Sequence, residues 1–117
     1  MSFTNVANQV TLIGRLGKDP VFFGEDGLGA RFDLAVNTSF MKDGQRQERV
    51  DWLTIVCWNG LVRSCRKLAS GDRVAIAGAL RENKWDDAEG VSRRTVEVHA
   101  SSLEFLDVKA LRDAKGK

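Results

Sequence analysis

Residues 50–58 read VDWLTIVCW, and the alternation inside them decides the fold. Successive side chains of a strand point to opposite faces, so Leu53, Ile55 and Cys57 share one face and Trp52, Thr54, Val56 and Trp58 the other. The first set supplies the buried side that a sheet normally has. Two tryptophans are left on the second face, roughly 20 Å apart at a rise of about 3.3 Å per residue. They are too far apart to stack on each other and well spaced to stack on an extended partner such as a single-stranded nucleic acid. A strand tryptophan is also an ordinary core residue, given its high average burial. What shifts the balance is Trp85, set in RENKWDDAEG (81–90) with no apolar neighbour to bury it. A ring stranded among charges on an expected loop points to an interface.

Outward from this strand the pattern repeats. QVTLIGRL (9–16) alternates Val10, Leu12, Gly14 and Leu16 against Thr11, Ile13 and Arg15, then stops at GKDP, which makes it a first strand. A short apolar piece, Val21 to Phe23, leads through a turn-rich segment to a second strand, Ala30 to Thr38. There Phe32, Leu34 and Val36 face one way and Arg31, Asp33, Ala35 and Asn37 the other. Met41 to Arg49 has no periodicity and contains Asp43-Gly44, which predicts a mobile hairpin loop.

Between Asn59 and Ser70 the period becomes helical, with Leu61, Val62, Cys65, Leu68 and Ala69 in one stripe. The second stripe, Arg63, Arg66 and Lys67, reads as a solvated face, and Gly71-Asp72 closes the helix. A fourth strand begins at Arg73, with Val74, Ile76, Gly78 and Leu80 opposed to Ala75, Ala77, Ala79 and Arg81. A turn region around Trp85 to Gly90 follows, then a last strand, RRTVEVHA (93–100), with Val96 and Val98 inward and Leu103 and Phe105 continuing its apolar pattern. Five main strands with one helix between the third and fourth is the element order of an all-β OB-fold, a five-stranded Greek-key barrel. The alanine row of the fourth strand either admits another chain closely or lies under a loop or long side chains. Residues 107–117 form a charged tail that either frays or makes a short helix.

A chain of 117 residues, 43% apolar and 29% charged, is one domain with one core. No apolar run approaches the roughly 20 residues of a membrane span, and MSFTNVANQ lacks the regions of a secretory signal, so a cytoplasmic location is expected. Cys57 and Cys65 have no metal-ligand spacing and only His99 to help them, so they read as buried free thiols, with no metal or other cofactor. The net charge of +2 resides in residues 107–117, with 4 Lys/Arg against 2 Asp/Glu; residues 1–106 hold 14 of each. Binding a polyanion therefore requires charges segregated in space rather than in excess.

The motifs NQVTLIGRLGKDP, ARFDLAVNTSF, VDWLTIVCWNG and LASGDRVAIAGALRENKW, with the strand after them, together resemble the bacterial and phage-type single-stranded DNA-binding protein family, in that family's order and over about residues 5–106. The resemblance implies a single-stranded DNA-binding domain at 1–106. It implies OB-folds assembled as a homotetramer that wraps single-stranded DNA during replication, recombination and repair, nucleoid-associated in the cytoplasm. By position, the implied stacking residues are Phe40, Trp52, Trp58 and Trp85, and the implied phosphate contacts are Arg15, Arg81, Lys84, Arg93 and Arg94. Aromatic platforms bind without sequence preference because every base has a π-face. Two departures concern contacts: Phe23 stands where arginine is frequent, and Leu53 where histidine is. Family members continue into a flexible linker and an acidic tip that recruits replication and repair proteins; residues 107–117 are a basic tail, so recruitment through such a tip is not expected of them.

Two rival classes fit the residues less well. An OB-fold adaptor of a primosome or replication-restart assembly would work mainly through protein contacts and need not keep four rings around one groove. A nuclease would need clustered carboxylates for a metal or a histidine pair, and Asp86, Asp87 and Glu89 read instead as residues that solvate and shape a turn. A non-enzymatic protein is expected.

Overall fold

A computed structural model describes residues 7–115. Six strands and two short helices follow one another: β1 (Val10–Leu16), β2 (Val21–Phe23), β3 (Gly29–Lys42), β4 (Gln45–Trp58), α1 (Gly60–Cys65), β5 (Arg73–Asp86), β6 (Ser92–Asp107) and α2 (Lys109–Lys115). The sheet runs β1-β5-β6-β4-β3-β2, and β1 also pairs with β3 through Arg15 opposite Ala35 and Leu16 opposite Leu34. That second pairing closes the sheet, leaving β1, β3, β4, β6 and β5 as the five staves of a barrel, the OB-fold the element order predicts. The parallel contact of β4 with β6, Ile55 opposite Val98 and Val56 opposite His99, completes the ring.

The interior holds Leu16, Phe32, Leu34, Ile55, Cys57, Val74, Ile76 and Val98. Val62, Cys65 and Leu68 enter it from the α1 segment, so the predicted apolar stripe holds. The helix itself is shorter than expected. Beyond Cys65 the backbone tightens to bonds such as Leu68 N–H to the Cys65 carbonyl, and the Asp72 carboxylate takes the Ala69 N–H at 2.8 Å, drawing the chain out of the helix. Cys57 and Cys65 are buried and free, as expected. A hydrogen bond with Cys65, together with burial, pushes the Cys57 thiol well above its ordinary pKa, so it stays neutral. The tail resolves to its helical alternative: Val108 is buried in the core and α2 follows it.

Two hairpins outrun the barrel, and the pattern-based expectations fail there. Met41 to Arg49 is not a loop: the β3–β4 ladder continues to Lys42 opposite Gln45. It turns on Asp43 and Gly44 alone, with φ of 53° and 75°, the two positive values that a type I′ turn demands. Both faces of this ribbon are solvated, so no apolar alternation marks it, and ladder hydrogen bonds hold it instead. Trp85 likewise lies within a strand, opposite Arg93, rather than on a loop. Val96 occupies the inward alternate of the β5–β6 arm, yet it is exposed because no barrel lies beneath it. Ser101 is the extra residue of a bulge, since Ala77 pairs with Ser102 and Gly78 with Ala100. It moves the buried alternate from Val98 to Leu103 and Phe105.

At this bulge Gly78 has no room for a side chain. A Cβ there would collide with the His99 carbonyl oxygen and lie 2.9 Å from the Ala100 Cα, both backbone atoms that cannot swing away. Gly78→Ala is expected to cost about 1–3 kcal/mol of folding stability, as overpacking does, read as a lowered urea midpoint at unchanged slope.

Candidate nucleic-acid interface

Residues directly opposite each other on paired strands share a face, and the register assembles one outer surface from four strands. On β3 and β4 it carries Gly29 beside Trp58, Arg31 beside Val56, Asp33 beside Thr54 and Ala35 beside Trp52. His99 of β6 adjoins Val56. Along the β5–β6 arm the same face continues through Arg81 with Glu97, Asn83 with Thr95, and Trp85 with Arg93. Two shallow recesses lie along it, one bordered by Trp58 and His99 and the other by Thr54 and Trp85, and both share Arg31, Asn83 and Glu97.

The rings are open: Trp52 is 60% exposed, Trp85 45%, Trp58 43% and Phe40 42%. Core tryptophans would not be. Trp52 lies where a Cβ on Gly17 would sit, 2.6 Å from its Cζ3, so a bare glycine lets the indole lie against the barrel rim. Trp58 is held by Phe23, edge-on with ring centres 5.1 Å apart, and by its Nε1–H, which donates to His99 Nδ1 at 3.3 Å. Phe40 differs from the tryptophans. It belongs to the alternate of Phe32, Leu34 and Val36 and reaches solvent because the β3–β4 ribbon has left the barrel by that point. The outward alternate of β4 is not open throughout, since Val56 is 1% exposed on the floor between Trp52 and Trp58. Thr54 donates to Asp33 at 3.0 Å beside it.

The five basic positions separate. Arg81 and Arg93 share the face of Trp85. Arg15 continues the row of Trp52 through Ala35, while donating to the Gly71 carbonyl at 2.9 Å. Lys84 and Arg94 stand on the reverse of the arm, where both meet Glu82, at 3.1 and 3.5 Å. Sequence reasoning missed Arg31, whose guanidinium lies 5.3 Å from the centre of the Phe23 ring and 3.4 Å from Glu97. Its outward alternation was visible, but its place between two tryptophans depends on strand pairing.

The acidic run beside Trp85 builds the hairpin tip. Asp87 accepts the Glu89 and Val91 N–H groups and the Arg93 Nε–H, at 2.9 to 3.0 Å. The Val91 N–H, Arg93 and the Glu89 N–H hold its carboxyl below the usual range. The folded-state pKa is depressed, so this support is present above the ordinary carboxylate value and lost as pH falls through the lowered one. Among the described residues no three His, Cys, Asp or Glu are grouped to hold a metal ion, and no helix is long and apolar enough to cross a membrane.

Fold and surface together define a closed OB barrel whose outer face and arms present open aromatic rings interleaved with arginines. Residues 7–106 match the Single-strand binding protein family, and the chain belongs to that family. It is 36% identical over 105 residues to single-stranded DNA-binding protein 2 of Chlorobaculum tepidum, covering 86% of this chain and 71% of that one. It is 37% identical over 107 residues to the single-stranded DNA-binding protein of Caldanaerobacter subterraneus subsp. tengcongensis, covering 88% and 70%. The fold superposes on the Plasmodium falciparum SSB complex with ssDNA with a TM-score of 0.77 at 29% identity, covering 92% of this chain and all of that one. Membership in a family of binding proteins agrees with the non-enzymatic reading.

Proposed function

We propose that this chain binds single-stranded DNA without sequence preference, stacking bases on Trp52, Trp58, Trp85 and Phe40 and holding phosphates with nearby arginines. The observation that carries this reading is the set of three tryptophans, each two-fifths to three-fifths exposed, on one continuous outer surface. The DNA complex of the Plasmodium falciparum relative supports it. Arg81, Arg93 and Arg31 are the phosphate contacts of that surface and Arg15 extends it past Trp52. Lys84 and Arg94 serve a strand that passes behind the arm. Residues 1–106 are the binding unit, and protection of single strands in replication, recombination and repair is the role such binding serves. Assembly into a homotetramer belongs to the same reading, and sedimentation of a monomer at working concentrations would remove it.

Titration with oligothymidylate is expected to quench the intrinsic tryptophan fluorescence to a saturating nucleotide-to-protein ratio. The logarithm of affinity should then fall linearly with the logarithm of salt, by about 0.7 for each phosphate contact. A folded protein that shows no quenching would move the rings to a protein interface and favour the adaptor reading.

A further inference from the structure

Five side chains close into a loop at the floor of the recess beside Trp58. Trp58 Nε1–H donates to His99 Nδ1 at 3.3 Å, and His99 Nε2 lies 3.3 Å from Glu97 Oε1. Arg31 donates to Glu97 Oε2 at 3.4 Å and reaches over Phe23, which returns edge-on to Trp58. The direction of these bonds follows from chemistry. An indole N–H can only donate, so Nδ1 must accept; a neutral imidazole then carries its proton on Nε2, where a carboxylate accepts it. Glu97 is 8% exposed, and Arg31 occupies its second oxygen, so the carboxylate has little freedom to turn away.

We propose that His99 is a positioning residue for the stacking surface: its Nδ1 fixes the tilt of the Trp58 indole, and Glu97 selects the tautomer that allows this. The inference rests on Trp58 being a stacking ring. A ring already held at its working angle does not lose rotational freedom when a base arrives, which is how preorganisation raises affinity. The charged groups bordering the imidazole's recess are Glu97 on its own strand, Arg31 on β3, and Arg81 and Glu82 on β5; β2 and β4 contribute Phe23, Val56 and Trp58.

The test uses the full chain with His99→Asn, which keeps an amide oxygen near the Nδ1 position, and His99→Leu, which removes the acceptor. By nuclear magnetic resonance, the Trp58 indole proton should exchange more slowly in the parent and in His99→Asn than in His99→Leu. Oligothymidylate affinity should fall about fivefold in His99→Leu, the loss of one ordinary hydrogen bond, and stay within about twofold in His99→Asn. Equal exchange in three folded proteins, or a protected indole proton with unchanged affinity in His99→Leu, would overturn the positioning role. Should His99→Leu fail to fold, the parent alone decides: a Trp58 indole proton that exchanges as fast as that of the open Trp52 overturns the proposal. Failure of the stacking reading is recognised separately, by Trp58→Ala binding as tightly as the parent.

Discussion

The double variant Trp52→Ala/Trp58→Ala is expected to bind oligothymidylate about two to three orders of magnitude more weakly than the parent while keeping its fold. Each base stacked on an aromatic ring is worth about 1–3 kcal/mol by truncation, and each 1.4 kcal/mol is tenfold in affinity. The two rings sit on one strand with Val56 between them, far enough apart to serve different bases. Their losses should therefore nearly add. The fold should survive because both rings are about half exposed, whereas the same strand anchors the barrel through Ile55 and Cys57, which are fully buried. Far-ultraviolet circular dichroism and the urea midpoint check the fold, and fluorescence anisotropy of a labelled oligothymidylate checks binding. Unchanged affinity in a folded double variant would assign the rings to another role. The salt slope should stay close to the parent's, since stacking releases no counterions.

Asp72→Ala is expected to remove about 3 kcal/mol of folding stability, although Asp72 is distant in role from the binding surface. Its side chain is 1% exposed and joins three parts of the chain. One carboxylate oxygen accepts the Ala69 N–H at 2.8 Å at the exit of the α1 segment, and the other accepts the Lys109 N–H at 3.0 Å at the start of α2. The Asp72 carbonyl accepts the Leu16 N–H at 2.9 Å at the end of β1. Alanine leaves two backbone donors without partners, each costing about 1–3 kcal/mol when buried. Asp26→Ala, at an exposed position, is the control and should stay within about 0.5 kcal/mol. A urea midpoint for Asp72→Ala equal to that of Asp26→Ala would show that water reaches these donors and that the carboxylate is dispensable.

Reading ahead from the residues succeeded wherever one face of an element is buried. Ile55 and Cys57 on β4, Phe32 and Leu34 on β3, and Val62, Cys65 and Leu68 near α1 all lie in the core, because a period of two or of 3.6 is the imprint of a one-sided interior. It failed where both faces are wet. Met41 to Arg49 looked like a loop, and Trp85 looked stranded on one, since a ribbon projecting into solvent has no apolar alternation to reveal it. Val96 shows the same limit in reverse: its parity was right, but the barrel had ended before it.

For the site, the residues by themselves identified the open rings Trp52, Trp58 and Trp85, because such rings stand out without coordinates; Phe40 came only with the family resemblance, since its parity continues the apolar alternate of Phe32, Leu34 and Val36. The sequence also determined the barrel, through five alternating segments and one helix in OB order. Only the tertiary structure decided which charges accompany the rings. Arg31 and His99 come to Trp58 from other strands, Arg81 and Arg93 share the face of Trp85, and Lys84 and Arg94 fall behind it. The physical reason is that an aromatic ring declares itself by its own chemistry, whereas a charge acts through its neighbours. Those neighbours are set by strand register, a relation between distant segments that no local pattern contains.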